Sequence, residues 1–182
     1  MKSAAFQAIL VVFGVMLAFA ANEWREAAIE HRESGEALAS IREELASNRA
    51  AAAASKTYHE QRLALIAERA ATGEPLSLSD FPRGFISPAT LSTAAWSSAS
   101  ETGALANTDY QEIVRLSRVY DMQAVYRDQT VTAGGIIFQR LFDQGVASIP
   151  KNAAGLEGVI TSFLYRESAL IEAYDKATAA RD

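Results

Sequence analysis

Apolar residues fall into two kinds of pattern along this chain. Residues 4–21 read AAFQAILVVFGVMLAFAA, a continuous apolar block in which only Gln7 is polar. Eighteen helical residues rise roughly 27 Å, close to the thickness of a bilayer core. The block therefore predicts a transmembrane helix over residues 4–22, preceded by a three-residue head. Beyond it the apolar positions become periodic. Residues 22 to about 71 contain no proline, and Leu38, Ile41 and Leu45 are spaced by three and four. The same row runs on through Asn48 and Ala52, and Leu63 and Ile66 resume it after a shift. That is one long helix with a partly polar, coiled-coil-like heptad seam. The alanine run at residues 50–54 is a strong helix former within it.

Thr72, Gly73, Glu74 and Pro75 end that helix. Residues 72–87 then form a loop with two prolines and two glycines. Its apolar residues Leu76, Leu78, Phe81, Phe85 and Ile86 should pin it to the bundle. Ser87 followed by Pro88 reads as N-cap and first helical residue of a second helix, running to about Ser100 and holding Trp96. Glu101, Thr102 and Gly103 break it. Thr108 with Gln111 matches a capping box and opens a third helix. The expected core row of that helix is Ile113, Leu116, Tyr120, Ala124, Val131, Phe138 and Leu141. Gly134 and Gly135 inside it suggest a close helix crossing or a mild kink. The chain breaks again from Gly145 to Lys151, at Pro150. Asn152 can cap a last helix with the apolar row Leu156, Ile160, Phe163, Leu170 and Tyr174. No strand pattern and no internal repeat is visible. The expected fold is all-α: a transmembrane helix continuous with a long helix, packed in an antiparallel bundle of about four helices. The bundle domain covers residues 23–182 and includes the loop at 72–87.

Charge and composition narrow the function classes. The net charge is −5, and all 22 acidic residues lie beyond residue 22. Dispersed charge with an acidic balance disfavours a nucleic-acid surface, which needs clustered Lys and Arg. With no cysteine in the chain, disulfides, thiol nucleophiles and thiolate metal sites are excluded.

Ala18, Phe19 and Ala20 resemble a signal-peptidase site, so the apolar block has two readings. Residues 22–34 (NEWREAAIEHRES) lack Pro and Gly and favour helix, whereas a peptidase needs an extended segment. An uncleaved anchor is therefore preferred. Trp24 and Arg25 fall where interfacial anchors belong. Gly14, Ala18 and Ala21, at i, i+4 and i+7, form a small-residue stripe of the kind that lets membrane helices approach closely. The short head suggests a cytoplasmic N-terminus with the domain exported to the periplasm.

The segments GVMLAFAANEWRE, EHRESGEALASIREELASNRA and PATLSTAAWSSASETGALA together make the chain similar to a group of uncharacterised bacterial single-pass membrane proteins. In those proteins a comparable span leads directly into a charged helix. The resemblance implies architecture, and the expected location is the bacterial inner membrane. It carries over no activity and no functional residue.

No catalytic or cofactor-binding signature emerges. His31 and His59 are 28 residues apart on one helix, roughly 42 Å, and cannot share a metal. Both read as surface histidines. There is no G-x-S-x-G and no phosphate-cradling glycine loop. Tyr110, Tyr120 and Tyr126 with Arg115, Arg118 and Arg127 could line a pocket for an aromatic or acidic ligand, but amphipathic packing accounts for them more simply. The expectation is a non-enzymatic interaction protein without cofactor or metal. Its partners would be the lipid bilayer, other membrane-protein subunits and itself as a homo-oligomer. The alternative is a periplasmic ligand-sensing bundle that signals through a partner.

Overall fold

The computed structural model describes the backbone of residues 2–179 and the side chains of Leu10 and of residues 12–179. Four α-helices account for most of it: α1 (Lys2–Thr72), α2 (Ala94–Thr102), α3 (Tyr110–Gln144) and α4 (Ala153–Thr178). Two single 3-10 turns, Leu78–Asp80 and Val146–Ser148, lie in the connections. There is no strand among the described residues. The all-α expectation and the helical bundle hold.

α1 is unbroken for 71 residues because nothing in it interrupts the backbone ladder: it contains no proline, and alanine is abundant. It ends at Gly73, which takes φ of +70°, with the Glu74 N–H donating back to the Arg69 carbonyl. α4 lies along α1 more extensively than any other pair of helices and runs antiparallel to it. Arg49 pairs with Asp175 near one end, and His59 meets Glu167 further along. α3 also packs on α4 but rises parallel to α1. Asn107, just before α3, reaches Glu30, and Tyr120 reaches Glu44.

Two apolar clusters form the core. The larger holds Ile41, Leu45, Leu116, Phe163, Leu170 and Tyr174. The smaller holds Ile66, Phe81, Ile149, Leu156 and Ile160, and Leu76, Phe85 and Ile86 pack against them. The loop is thus pinned as expected, except that Leu78 stays exposed. The expected rows of α1 and α4 are also observed. Ile41, Leu45, Asn48, Ala52 and Ile66 are buried, and so are Leu156, Ile160, Phe163, Leu170 and Tyr174.

Two boundaries and one core row differ from expectation. Ser87 and Pro88 do not start a helix: residues 81–93 form an irregular, extended strap, and α2 begins at Ala94. The strap's polar backbone is held by side chains of the long helices, which outweighs the local capping signal. α3 is capped by Asp109, not Thr108: the Asp109 carboxylate accepts from the N–H groups of Gln111 and Glu112. The core row of α3 also rotates. Leu116, Val119, Gln123, Tyr126 and Ala133 are buried, while Val131 and Phe138 are 70% and 64% exposed. At about 100° per residue Val131 and Phe138 point roughly 120–160° away from buried Tyr126 and Ala133, so the row through them lies on the far side of α3 from the core.

The expected membrane span falls partly on residues 4–9 and 11, whose side chains lie outside the described residues. Among the described residues no helix is long and apolar enough to cross a membrane. The described remainder of the block, Leu10 and residues 12–21, is by itself shorter than the roughly 20 residues a bilayer core takes.

Candidate functional site

The most concentrated chemistry in the molecule lies where the two apolar clusters meet. Ser55 and His59, one turn apart on α1, point toward α4 and meet Glu167 there, and Tyr126 reaches the same carboxylate from α3. All four are buried, with His59 and Glu167 completely enclosed. Oε1 of Glu167 lies 2.6 Å from the Ser55 hydroxyl, 2.9 Å from the Tyr126 hydroxyl and 3.0 Å from His59 Nδ1. Oε2 lies 3.0 Å from the same Nδ1. His59 is therefore a core residue and not the surface histidine its sequence neighbours suggest. Glu60, beside it, points outward and pairs with Lys56.

The strap fixes the proton on His59. The Ser87 backbone N–H, which can only donate, lies 3.1 Å from Nε2. Nε2 is thus the acceptor, and Nδ1 carries the proton and donates it to Glu167. The Tyr126 hydroxyl donates to Glu167 and accepts from the Ala89 N–H at 2.9 Å. Ser55 Oγ lies 2.7 Å from the Ser87 carbonyl. Burial pushes the Tyr126 phenol well above its ordinary value, so its proton stays in place as a donor.

The pattern repeats along the strap. Asn48 forms a reciprocal pair with the backbone of Ser92: its Nδ2 donates to the Ser92 carbonyl and its Oδ1 accepts from the Ser92 N–H, both at 2.8 Å. Tyr58 donates to the Gly84 carbonyl and Arg62 to that of Asp80. Glu44 caps α2 from another helix. Its carboxylate accepts from the N–H groups of Ala95 and Trp96 and from the hydroxyls of Ser92 and Tyr120. Thr93, at the N-cap position, offers no side-chain bond, so the cap is supplied by α1. Burial acts to raise the Glu44 carboxyl, but the four hydrogen bonds outweigh it and hold the group below the usual carboxylate range.

This constellation holds backbone and does not face a substrate. Ser, His and Glu are present, but the second His59 nitrogen is occupied by a backbone amide, and Ser55 contacts the carboxylate, not the imidazole. None of the four groups is open to solvent. A nucleophile and base need the opposite arrangement, hydrogen-bonded to each other and facing an accessible atom. Among the described residues no three of His, Cys, Asp and Glu converge as a metal site.

The residues singled out from sequence are scattered. Gly14, Ala18, Ala21, Trp24 and Arg25 are all exposed along the N-terminal part of α1, and Trp24 is 78% exposed. A Cβ added at Gly14 would meet nothing within 4 Å. His31 is exposed on α1 as well. The tyrosines do not share a pocket: Tyr110 is exposed, while Tyr120 and Tyr126 turn inward to Glu44 and Glu167. Arg115 pairs with Glu112, and Arg118 and Arg127 face solvent. Clefts of about 330 to 380 Å³ follow the outer side of α3 and α4, lined by Met122, Val125, Tyr165 and Leu170 in their middle part.

Glu44, Ser55 and Glu167 were not anticipated. Glu167 sits on the apolar row of α4 between Phe163 and Leu170, and a charged residue on a buried row is the signal that marks it. Asn48, Ser55 and His59 similarly interrupt the apolar row of α1. No protein-family model, curated protein or solved structure matches the chain.

Proposed function

We propose that this chain is a non-enzymatic interaction protein held at a membrane by the N-terminal part of α1, with the bundle carried on the continuation of the same helix. The observation that carries this reading is the surface of residues 10–21. Leu10, Val12, Phe13, Met16, Leu17 and Phe19 are each between 53% and 68% exposed and cover one half of α1, while Gly14, Val15, Ala18 and Ala21, also exposed, occupy the other half, so no polar side chain appears on any side of residues 12–21. A helix that is apolar all round belongs in a protein core or in lipid. Among the described residues no other part of the chain covers it, and the first buried one in α1 is Ser34. Trp24 and Arg25 follow the apolar stretch where interfacial side chains sit. From Ala21 to Ser34 the helix rises about 20 Å, so the bundle stands clear of the headgroups.

The closed polar centre supports the non-enzymatic part, since its Ser, His and Glu are spent on the strap. The resemblance to bacterial single-pass membrane proteins agrees with this architecture, and on this reading the membrane is the inner one and the bundle is periplasmic. The partners on this reading are the lipid bilayer, a second copy, and subunits of a larger membrane complex.

Membrane isolation followed by an alkaline carbonate wash tests the anchor. The full chain should stay in the pellet and float with lipid in a density gradient. The variant carrying Val15→Arg and Leu17→Arg should move to the wash. If the unaltered chain is released by carbonate, the reading fails. Native mass spectrometry of gently extracted protein then identifies what accompanies it.

A further inference from the structure

α3 is amphipathic on two sides. Its inner side packs through Tyr126, Ala133, Ile137 and Leu141. Its outer side, in the second half of the helix, carries Val131, Phe138 and Phe142, which are 70%, 64% and 83% exposed. With Gly135 these form a row at 131, 135, 138 and 142, spaced four, three and four. The Phe138 and Phe142 rings lie next to each other, with centroids 6.1 Å apart. Gly134 and Gly135 sit inside a 35-residue helix, where glycine is a markedly poorer helix former than alanine. A Cβ at either would meet nothing within 4 Å, so the fold itself makes no use of their smallness.

We propose that this row is a seam on which a second copy of the chain docks, α3 against α3 in parallel, with Gly135 at the close crossing. Charge selects the occupant and the direction. Arg127 and Asp128 are exposed and have no ion pair among the described residues. On a 3.6-residue helix they fall on opposite flanks of the row. In a parallel two-fold pair each Arg127 faces Asp128 of the other copy, as flanking charges do across a parallel seam. An antiparallel pair would lose that exchange and bring Arg127 toward Phe142. Because α3 runs parallel to α1, parallel docking also keeps both N-terminal helices on one side. In that respect the orientation rests on the membrane reading. The three large side chains offer roughly 400 Å² per copy. A standard interface buries about 800 Å² per partner, so the seam is weak between free molecules and effective between copies confined to one membrane.

The chain lacks cysteine, so single-cysteine variants report contacts directly. Val131→Cys, Phe138→Cys and, as a control on α1, Glu60→Cys are each reconstituted as full chains in phosphatidylcholine–phosphatidylglycerol vesicles, floated and mildly oxidised. Val131→Cys and Phe138→Cys should each form a disulfide-linked dimer, and Glu60→Cys should not. Adding Gly135→Leu should abolish both dimers. That change raises helix propensity, so the loss would not reflect unfolding. Cross-linking only in a mixture of Val131→Cys with Phe138→Cys means antiparallel docking and overturns the proposal. So does the absence of any dimer in chains that float, which leaves the anchor standing. If the chains do not float, the same oxidation in concentrated solution decides: a symmetric dimer upholds the seam while the anchor fails, and no dimer rejects both.

Discussion

Asn48, Ser55 and His59 interrupt the buried row of α1, and each interruption meets a backbone group of the strap between Ser87 and Ser92. In a simple heptad seam, replacing Asn48 by leucine would add apolar packing. Here it strands the Ser92 N–H and carbonyl together. Asn48→Leu should therefore destabilise the protein by about 2 kcal/mol in urea unfolding. A variant more stable than the parent would show that the strap is not held by this pair. Glu167→Ala removes the common acceptor of three buried donors and should cost about 3 kcal/mol or more, with far-UV helicity retained. Glu44 gives a pH signature. Its folded pKa lies below the ordinary value of 4.5, so its stabilising effect is complete above that pH and fades as pH falls through the folded value. The stability gap between the parent and Glu44→Gln, followed by urea unfolding, should be widest near neutrality and close in acid. A gap independent of pH would assign the effect to shape and not to charge. The polarity of these positions was legible in the sequence, but their partners were not. His59 and Ser55 find Glu167 at separations of 108 and 112 residues, and no local pattern reaches that far. The expectation of a surface histidine put His59 on the wrong side of the helix.

Element boundaries were legible where a single side chain decides them and obscure where tertiary contacts do. Asn152 caps α4 as expected, accepting from the Gly155 N–H. At α3 two candidates stand side by side, and geometry selects Asp109. Asp109→Ala should cost about 1 kcal/mol, whereas Thr108→Ala should be nearly neutral. Thermal unfolding of the two variants separates them, and equal effects would return the cap to Thr108. Ser87 and Pro88 carry a good local start signal, yet the strap stays extended because His59, Tyr126 and Asn48 take the N–H groups of Ser87, Ala89 and Ser92. Those bonds require an extended backbone, and α2 starts only where Glu44 can supply its cap. For α3 the seven-residue spacing of Ala124, Val131 and Phe138 suggested the core. The helix instead turns Val131 and Phe138 outward, which leaves that face exposed.

At the scale of the molecule, α1 is a rod of 71 residues, about 107 Å long. Gly35 lies within it and does not interrupt it. The absence of native cysteine makes the rod measurable: spin labels at Arg25→Cys and Glu60→Cys should give one narrow distance near 52 Å. A broad or markedly shorter distribution would mean a joint near Gly35.

The strap is tied to one side of this rod, through Glu44, Asn48, Ser55 and His59. Those ties fix an azimuth. Turning α1 by one residue's step, about 100°, would pull every one of them away together. With the helix unbroken from residue 2 to 72, the heading of Leu10 and of residues 12–36 is locked to the bundle. On an ideal helix Gly14, Ala18 and Ala21 emerge about half a turn from the row of Ile41, Leu45 and Ile66, so they look away from the bundle's bulk. Torque at one end of α1 reaches the other without slack, and the helix works as a driveshaft where a flexible linker would be only a tether.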